Sequence, residues 1–200
     1  EITHVPMALA GDDKQKLLRL EGMLHEQVIG QDAAISAVSQ ALRRARSDIS
    51  VRGDKPIGTF LFLGPTGVGK TETAKALVRV YFNNAASLVR FDMSEYQGEE
   101  AIRQILGDFA TGKVGVVAQA ISEHPYGVLL LDELEKASKP VVNTFLTAID
   151  EGYITDAQGK KLYLSNMIVI ATTNAGSEFI REKLKGNEGV AVSQKDVMEY

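Results

Sequence analysis

From residue 59 onward, short apolar runs alternate with stretches of helical spacing. The runs are TFLFL (59–63), SLVRF (87–91), VLLLD (128–132) and MIVIAT (167–172). Helical patterns fill about 70–82, 99–106, 115–123 and 139–150, with a further one near 177–185. A strand that is apolar at consecutive positions must be covered on both faces. Alternation of such strands with helices therefore predicts an α/β, three-layer sandwich with a mostly parallel sheet. Upstream, Asp12 or Asp13 can cap a helix whose apolar positions are Leu17, Leu18, Leu20, Met23 and Leu24. Gly30 interrupts, and a second helix runs from about Asp32 to Ser47, apolar at Ala34, Ile35, Val38, Ala41 and Leu42. The stripe of Leu17, Leu20 and Leu24 reads as core packing. Residues 152–164 read as a small hairpin around Ala157-Gln158-Gly159. Pro6 and Gly11 mark residues 1–11 as an extended linker, leaving 12–200 as one domain without repeats.

Composition narrows the classes. The 44% apolar and 24% charged shares are those of a folded globular chain. Lys and Arg number 22 against 26 Asp and Glu, a net charge of 22 − 26 = −4. No overall positive field therefore draws the chain to nucleic acid or anionic lipid. Cysteine is absent, so there is neither a disulfide framework nor a thiolate metal site. No apolar run is long enough to span a bilayer, and a cytoplasmic location is expected. The lack of an initiator methionine and the ending at Glu199-Tyr200 suggest a piece of a longer chain.

The chemistry is carried by two strings. Gly64-Pro65-Thr66-Gly67-Val68-Gly69-Lys70-Thr71 follows an apolar strand and opens a helix. Glycines let backbone N–H groups converge on a phosphate, and the helix start adds its positive dipole end. Lys70 would reach the β- and γ-phosphates of ATP, and the Thr71 hydroxyl would ligate Mg²⁺. Val128–Leu131 ends in Asp132 and Glu133, at the same sheet edge as the phosphate loop. Asp132 is placed to hold Mg²⁺ through water, and Glu133 to activate the attacking water as general base. Asn174, at the polar end of the next strand, would orient that water or contact the γ-phosphate, or else cap the helix that follows. No N-K-x-D guanine string occurs, which argues against a GTPase, and no aromatic-basic stripe supports a nucleic-acid motor. His4, His25 and His124 lack metal-ligand spacing. Arg43, Arg44 and Arg46 form a basic cluster on one helix, read as a solvated face or a subunit contact.

In this order the residues resemble the second ATPase module of the Clp family of AAA+ proteins (the ClpA, ClpB and ClpC group). The likeness starts at Ile2-Thr3-His4-Val5-Pro6 and continues at Val28-Ile29-Gly30-Gln31, similar to the family's adenine-pocket box. It includes Arg90-Phe91-Asp92-Met93-Ser94-Glu95-Tyr96, His124-Pro125-Tyr126 and Leu131-Asp132-Glu133-Leu134-Glu135-Lys136-Ala137. Thr155-Asp156-Ala157-Gln158-Gly159 and Thr173-Asn174-Ala175-Gly176-Ser177 complete it. The resemblance implies a P-loop NTPase with sheet order 5-1-4-3-2, which sets Asn174 beside the γ-phosphate as sensor 1. Val28 and Ile29 would contact the adenine. It also implies a homo-hexameric ring threading unfolded or aggregated polypeptide, with a co-chaperone or a protease ring as a further partner.

Three departures qualify this picture. Where the family's pore loop has an aromatic between glycine and valine, this chain has Gly112-Lys113-Val114-Gly115, a loop a few residues shorter. Lys113 then suits acidic substrates, or grips nothing and is a solvated loop residue, or the grip lies elsewhere. The loop Lys185–Val190 lacks the apolar tripeptide that docks a protease ring, which favours a ClpB-like disaggregase over a protease-linked unfoldase. Intact Lys70, Asp132 and Glu133 argue against a non-hydrolysing scaffold module. Finally, the arginine finger, fifth strand and helical lid of the family have no counterpart in residues 1–200, so the domain is expected to be C-terminally incomplete. Because an arginine finger contributes about 10³–10⁵ in rate, residues 1–200 alone should bind nucleotide weakly and turn over little. A phosphate-release assay on residues 1–200 checks this, and turnover matching a complete Clp ring would refute it.

Overall fold

A computed structural model of the chain describes residues 12–29, 31–47 and 54–175. The linker 1–11, Gly30, the helix expected near 177–185 and the loop Lys185–Val190 lie outside the described residues. In chain order the helices are α1 (Asp12–His25), α2 (Asp32–Ser47), α3 (Lys70–Leu77), α4 (Ala101–Leu106), α5 (Val116–Glu123) and α6 (Lys139–Glu151). The strands are β1 (Gly58–Leu63), β2 (Leu88–Asp92), β3 (Gly107–Asp108), β4 (Lys113–Val114), β5 (Gly127–Asp132), β6 (Tyr153–Thr155), β7 (Lys161–Tyr163) and β8 (Met167–Thr173).

The four long strands form one parallel sheet in the order β1-β8-β5-β2. This is the order implied for the first four strands of the family, with the fourth long strand between the first and third. All residues of β5 and β8 are buried, which explains their unbroken apolar runs. Along these two strands, alternate side chains enter two separate cores. Leu129, Leu131, Val169 and Ala171 pack with Ile105, Ile121 and Phe145 of α4, α5 and α6. Val128, Leu130, Ile168 and Ile170 pack with Leu20, Leu24, Leu42 and Leu77 of α1, α2 and α3. The result is the expected three-layer sandwich. In α1, Leu17, Leu20 and Leu24 are buried, whereas Leu18 faces solvent. Arg43 joins the first two helices, its guanidinium donating to Glu21 at 3.1 Å and to the Leu17 carbonyl at 3.4 Å. His25 and Asp32 meet at 3.2 Å across the α1–α2 junction.

Two features differ from the expected pattern. The helix predicted over 70–82 is α-helical only to Leu77 and continues as a π-helical turn over Val78–Phe82, ending at Asn83 with φ 53°. Apolar spacing does not separate the two helix types over one turn. The loop after α4 contains an antiparallel pair, Gly107↔Val114 and Asp108↔Lys113, too short to carry a period-two pattern. A side chain at Gly115 would fall 2.1 Å from the Ile105 carbonyl oxygen, so this hairpin closes only on glycine. The β6–β7 hairpin is as expected: Asp156 accepts from the backbone N–H groups of Gln158 and Lys160 at 3.0 and 2.8 Å, closing the turn.

Gly152 ends α6 with φ 84°, and a methyl group there would lie 2.3 Å from the Asp54 carbonyl oxygen. Gly159 shares the conformation (φ 82°) but has open space where a side chain would stand. Left-handed backbone costs a non-glycine residue about 1–2 kcal/mol. Gly159→Ala should lose about that much in urea unfolding. Gly152→Ala should lose clearly more, since the backbone of Asp54 must shift as well.

Candidate nucleotide site

Because β1, β5 and β8 run parallel, their carboxyl ends share one edge, and the loops leaving them enclose a cleft of about 350 Å³. Thr66, Gly67, Gly69, Lys70 and Thr71 line one side of it, and Asp132, Glu133, Thr172 and Asn174 the other. Gly67 and Gly69 adopt φ 87° and 95°, backbone that turns the loop back on itself with no side chain in the hollow. Gly69 caps α3, so the first unpaired N–H groups of that helix face the cleft. The chemistry of such a hollow suits an anion.

Lys70 emerges at the first position of α3, and its ammonium folds back on the loop. It donates to the carbonyls of Gly64 (2.5 Å) and Pro65 (3.0 Å) and to Asn174 Oδ1 (2.9 Å). Burial holds its pKa below the usual lysine value, and the carboxylates of Glu135, Asp132 and Glu133 work against that shift. Asn174 also donates through Nδ2 to Glu133 Oε1 at 3.3 Å, so one amide links the phosphate-loop lysine to the acidic strand. Its alternative role as a helix cap falls on residues outside those described.

Asp132 ends β5 with its side chain 10% exposed. Thr172 Oγ1 donates to its Oδ1 at 2.5 Å, and Thr71 Oγ1 lies 3.3 Å from both carboxylate oxygens. The Arg90 guanidinium meets Oδ2 at 2.7 Å. Carboxylate and hydroxyl oxygens converging on one point are the hard donors that Mg²⁺ selects, so Asp132 and Thr71 fit such an ion. Glu133 follows with φ 57° and ψ 50°, a left-handed backbone unusual for a residue with a side chain. Its N–H donates to Thr172 Oγ1 at 3.0 Å. Strain of this kind, about 1–3 kcal/mol, persists where neighbouring structure over-determines it, and it clusters at functional positions.

Of the motif residues that the sequence pattern places at this edge, Thr66, Gly67, Gly69, Lys70, Thr71, Asp132, Glu133 and Asn174 line the cleft, whereas Gly64, Pro65 and Val68 are not in its lining. Gln31 Nε2 donates to the Val68 carbonyl at 2.6 Å, tying the adenine-pocket box to the phosphate loop. Val28, however, is 6% exposed and packs in the α1–α3 core, while Ile29 is 96% exposed. Of the two side chains, Ile29 is the one open to solvent.

Three residues at this edge were missed from sequence. Thr172 bridges the acidic pair, Arg90 pairs with Asp132, and Glu135 accepts from the Asn174 N–H at 3.0 Å. Burial raises the Glu135 pKa, but hydrogen bonds from Asn174 and Thr173 outweigh it and leave the carboxyl below its usual value. A hydroxyl at the mouth of an apolar strand, neighbouring an acidic one, was the available signal for Thr172.

Among the described residues no cluster of His, Asp or Glu is arranged as a metal centre in its own right, and no helix is long and apolar enough to cross a membrane. The sequence model of the AAA domain (Cdc48 subfamily) matches residues 55–200. The chain is similar to the chaperone protein ClpB2 of rice chloroplasts (Oryza sativa subsp. japonica), at 45% identity over 184 residues, 89% of this chain and 19% of that protein. It is 43% identical over 203 residues to the chaperone protein ClpB 1 of Synechocystis sp., covering 98% of this chain and 22% of that one. It is 44% identical over 192 residues to the chaperone protein ClpB of Meiothermus ruber, 93% and 22% of the two chains. The chain thus spans about a fifth of the length of the curated relatives it matches. With its sheet order, its phosphate-loop cleft and a family match over most of its length, the chain belongs to the AAA domain family (Cdc48 subfamily) as a ClpB-like AAA+ module.

Proposed function

We propose that this chain binds Mg²⁺·ATP in the cleft between the phosphate loop and the acidic strand, and that its hydrolysis drives protein disaggregation in a ring-shaped, cytoplasmic, hexameric Clp-type chaperone. The observation that carries the reading is the meeting of Lys70, Asp132, Glu133 and Asn174 around one cleft, from three parallel strand ends. The loop from Gly64 to Thr71 would cradle the phosphates, and Lys70 would exchange its bonds to Gly64 and Pro65 for phosphate oxygens. Asp132 and Thr71 would hold Mg²⁺, which when bound neutralises the charge of the phosphates. Glu133 would accept the proton of the attacking water. Asn174 would keep that carboxylate aimed, through the hydrogen bond it already makes.

The grip on polypeptide is assigned to the β3–β4 hairpin. Lys113 is exposed there, but Phe109, four residues earlier, is 81% exposed, and Val114, paired with Gly107 in the hairpin, is 51% exposed. An aromatic ring presents far more apolar contact area to an extended chain than a hydrated ammonium does. Phe109 therefore supplies the aromatic that position 113 lacks.

Two experiments on the complete protein test these roles. Glu133→Gln should retain bound ATP and lower its hydrolysis by about 10²-fold or more. Hydrolysis at the wild-type rate would remove Glu133 from its role. Phe109→Ala should hydrolyse ATP at a rate near wild type while losing most reactivation of aggregated protein. If Lys113→Ala has that effect and Phe109→Ala does not, the grip belongs to the lysine.

A further inference from the structure

Asp132 poses a problem that the proposed nucleotide chemistry does not by itself solve. A carboxylate this far out of water is costly unless neutralised. Lys70 does not neutralise it directly, because its three N–H bonds go to Gly64, Pro65 and Asn174. The Thr172 hydroxyl holds Oδ1 at 2.5 Å, and the single proton of Thr71 is shared at 3.3 Å between both oxygens. Among the described residues, the cation paired with this carboxylate is Arg90, 2.7 Å from Oδ2.

The pair is unequal in freedom. Asp132 sits at the end of a strand buried along its whole length, anchored from β8 by Thr172. Arg90 stands on β2, at the sheet margin, two residues before the Asp92↔Asp132 register pair, with its side chain 45% exposed. Swinging that arm into water costs little, whereas the carboxylate has nowhere to go. Oδ2 is also the oxygen not committed to Thr172, and the Thr71 hydroxyl stands within reach of it.

We infer that Arg90 is an exchangeable counter-ion, which neutralises Asp132 in the nucleotide-free site and must give up Oδ2 when Mg²⁺ arrives with nucleotide. This rests on the Mg²⁺·ATP reading above. Arg90 is a positioning residue in this scheme: it balances the charge of the carboxylate and keeps it aimed between turnovers, and it sets how much magnesium is needed to displace it. Two cations on one carboxylate oxygen repel, so removing the guanidinium charge favours the metal. The same removal leaves the empty site with an uncompensated buried charge.

The test is a magnesium titration of ADP binding to the complete protein, read by calorimetry, together with thermal unfolding of the free and Mg²⁺·ADP-loaded forms. Arg90→Met keeps the apolar stem and deletes the charge. It should lower the magnesium midpoint by about three- to tenfold, and lower the melting temperature of the free form more than that of the loaded form. Arg90→Lys keeps the charge and should hold its midpoint near wild type. An unmoved or raised midpoint in Arg90→Met would overturn the proposal, as would equal loss of stability in both forms. An identical midpoint shift in Arg90→Lys and Arg90→Met would overturn it too, since charge would then not be the cause. Should Arg90→Met fail to fold, Arg90→Gln carries the same expectations. Wild-type protein that binds no nucleotide at any magnesium concentration would remove the underlying reading and this proposal with it. Nucleotide binding with an unaltered midpoint would remove this proposal alone.

Discussion

A carboxylate held almost out of water at the end of a buried strand sets the conditions for everything around it. The charge of Asp132 must be compensated to be tolerated there. The groups that meet it come from three other elements: Thr71 from α3, Arg90 from β2 and Thr172 from β8. Arg90 and Thr172 can reach it only because the sheet order puts β2 on one side of β5 and β8 on the other. The sandwich is therefore more than a neutral support. Its topology determines which charges and hydroxyls surround the acid, and so what the acid can bind.

Thr172 has a second task that makes the acidic pair a unit. Its hydroxyl donates to Asp132 and accepts from the N–H of Glu133, so a single oxygen fixes both the buried carboxylate and the strained backbone beside it. The left-handed backbone at Glu133 ends β5, and its side chain accepts a hydrogen bond from Asn174. Lys70, Asn174 and Glu133 then form a continuous polar chain across the cleft.

Much of this was legible in the sequence because it is local. The unbroken apolar runs that became β5 and β8, the glycine spacing of residues 64–71, and the acidic pair after Leu131 all state their structural meaning within eight residues. The helix start at Lys70 follows from the glycine that cannot continue the strand. What escaped was whatever depends on a pairing partner distant in sequence. Arg90 and Asp132 are separated by 42 positions, and Thr172 and Asp132 by 40, so their contacts exist only once the register of β2 and β8 against β5 is set. The sign of a backbone torsion at Glu133 is equally invisible in a composition or a period. Val28 shows a second limit: the motif that resembles an adenine-pocket box says nothing of its side chain's place in the core.

The two cores on opposite faces of β8 have an implication for errors in assembly. A shift of that strand by one residue would exchange Ile168 and Ile170 with Met167, Val169 and Ala171, so that each helical layer faced side chains shaped for the other. It would also carry Thr172 and Asn174 about 3.3 Å along the sheet edge, out of reach of the acid and the lysine. A misaligned chemical centre is thus never a quiet mistake in this molecule. It comes with two mispacked interiors, and ordinary close packing acts as the proofreader of the site.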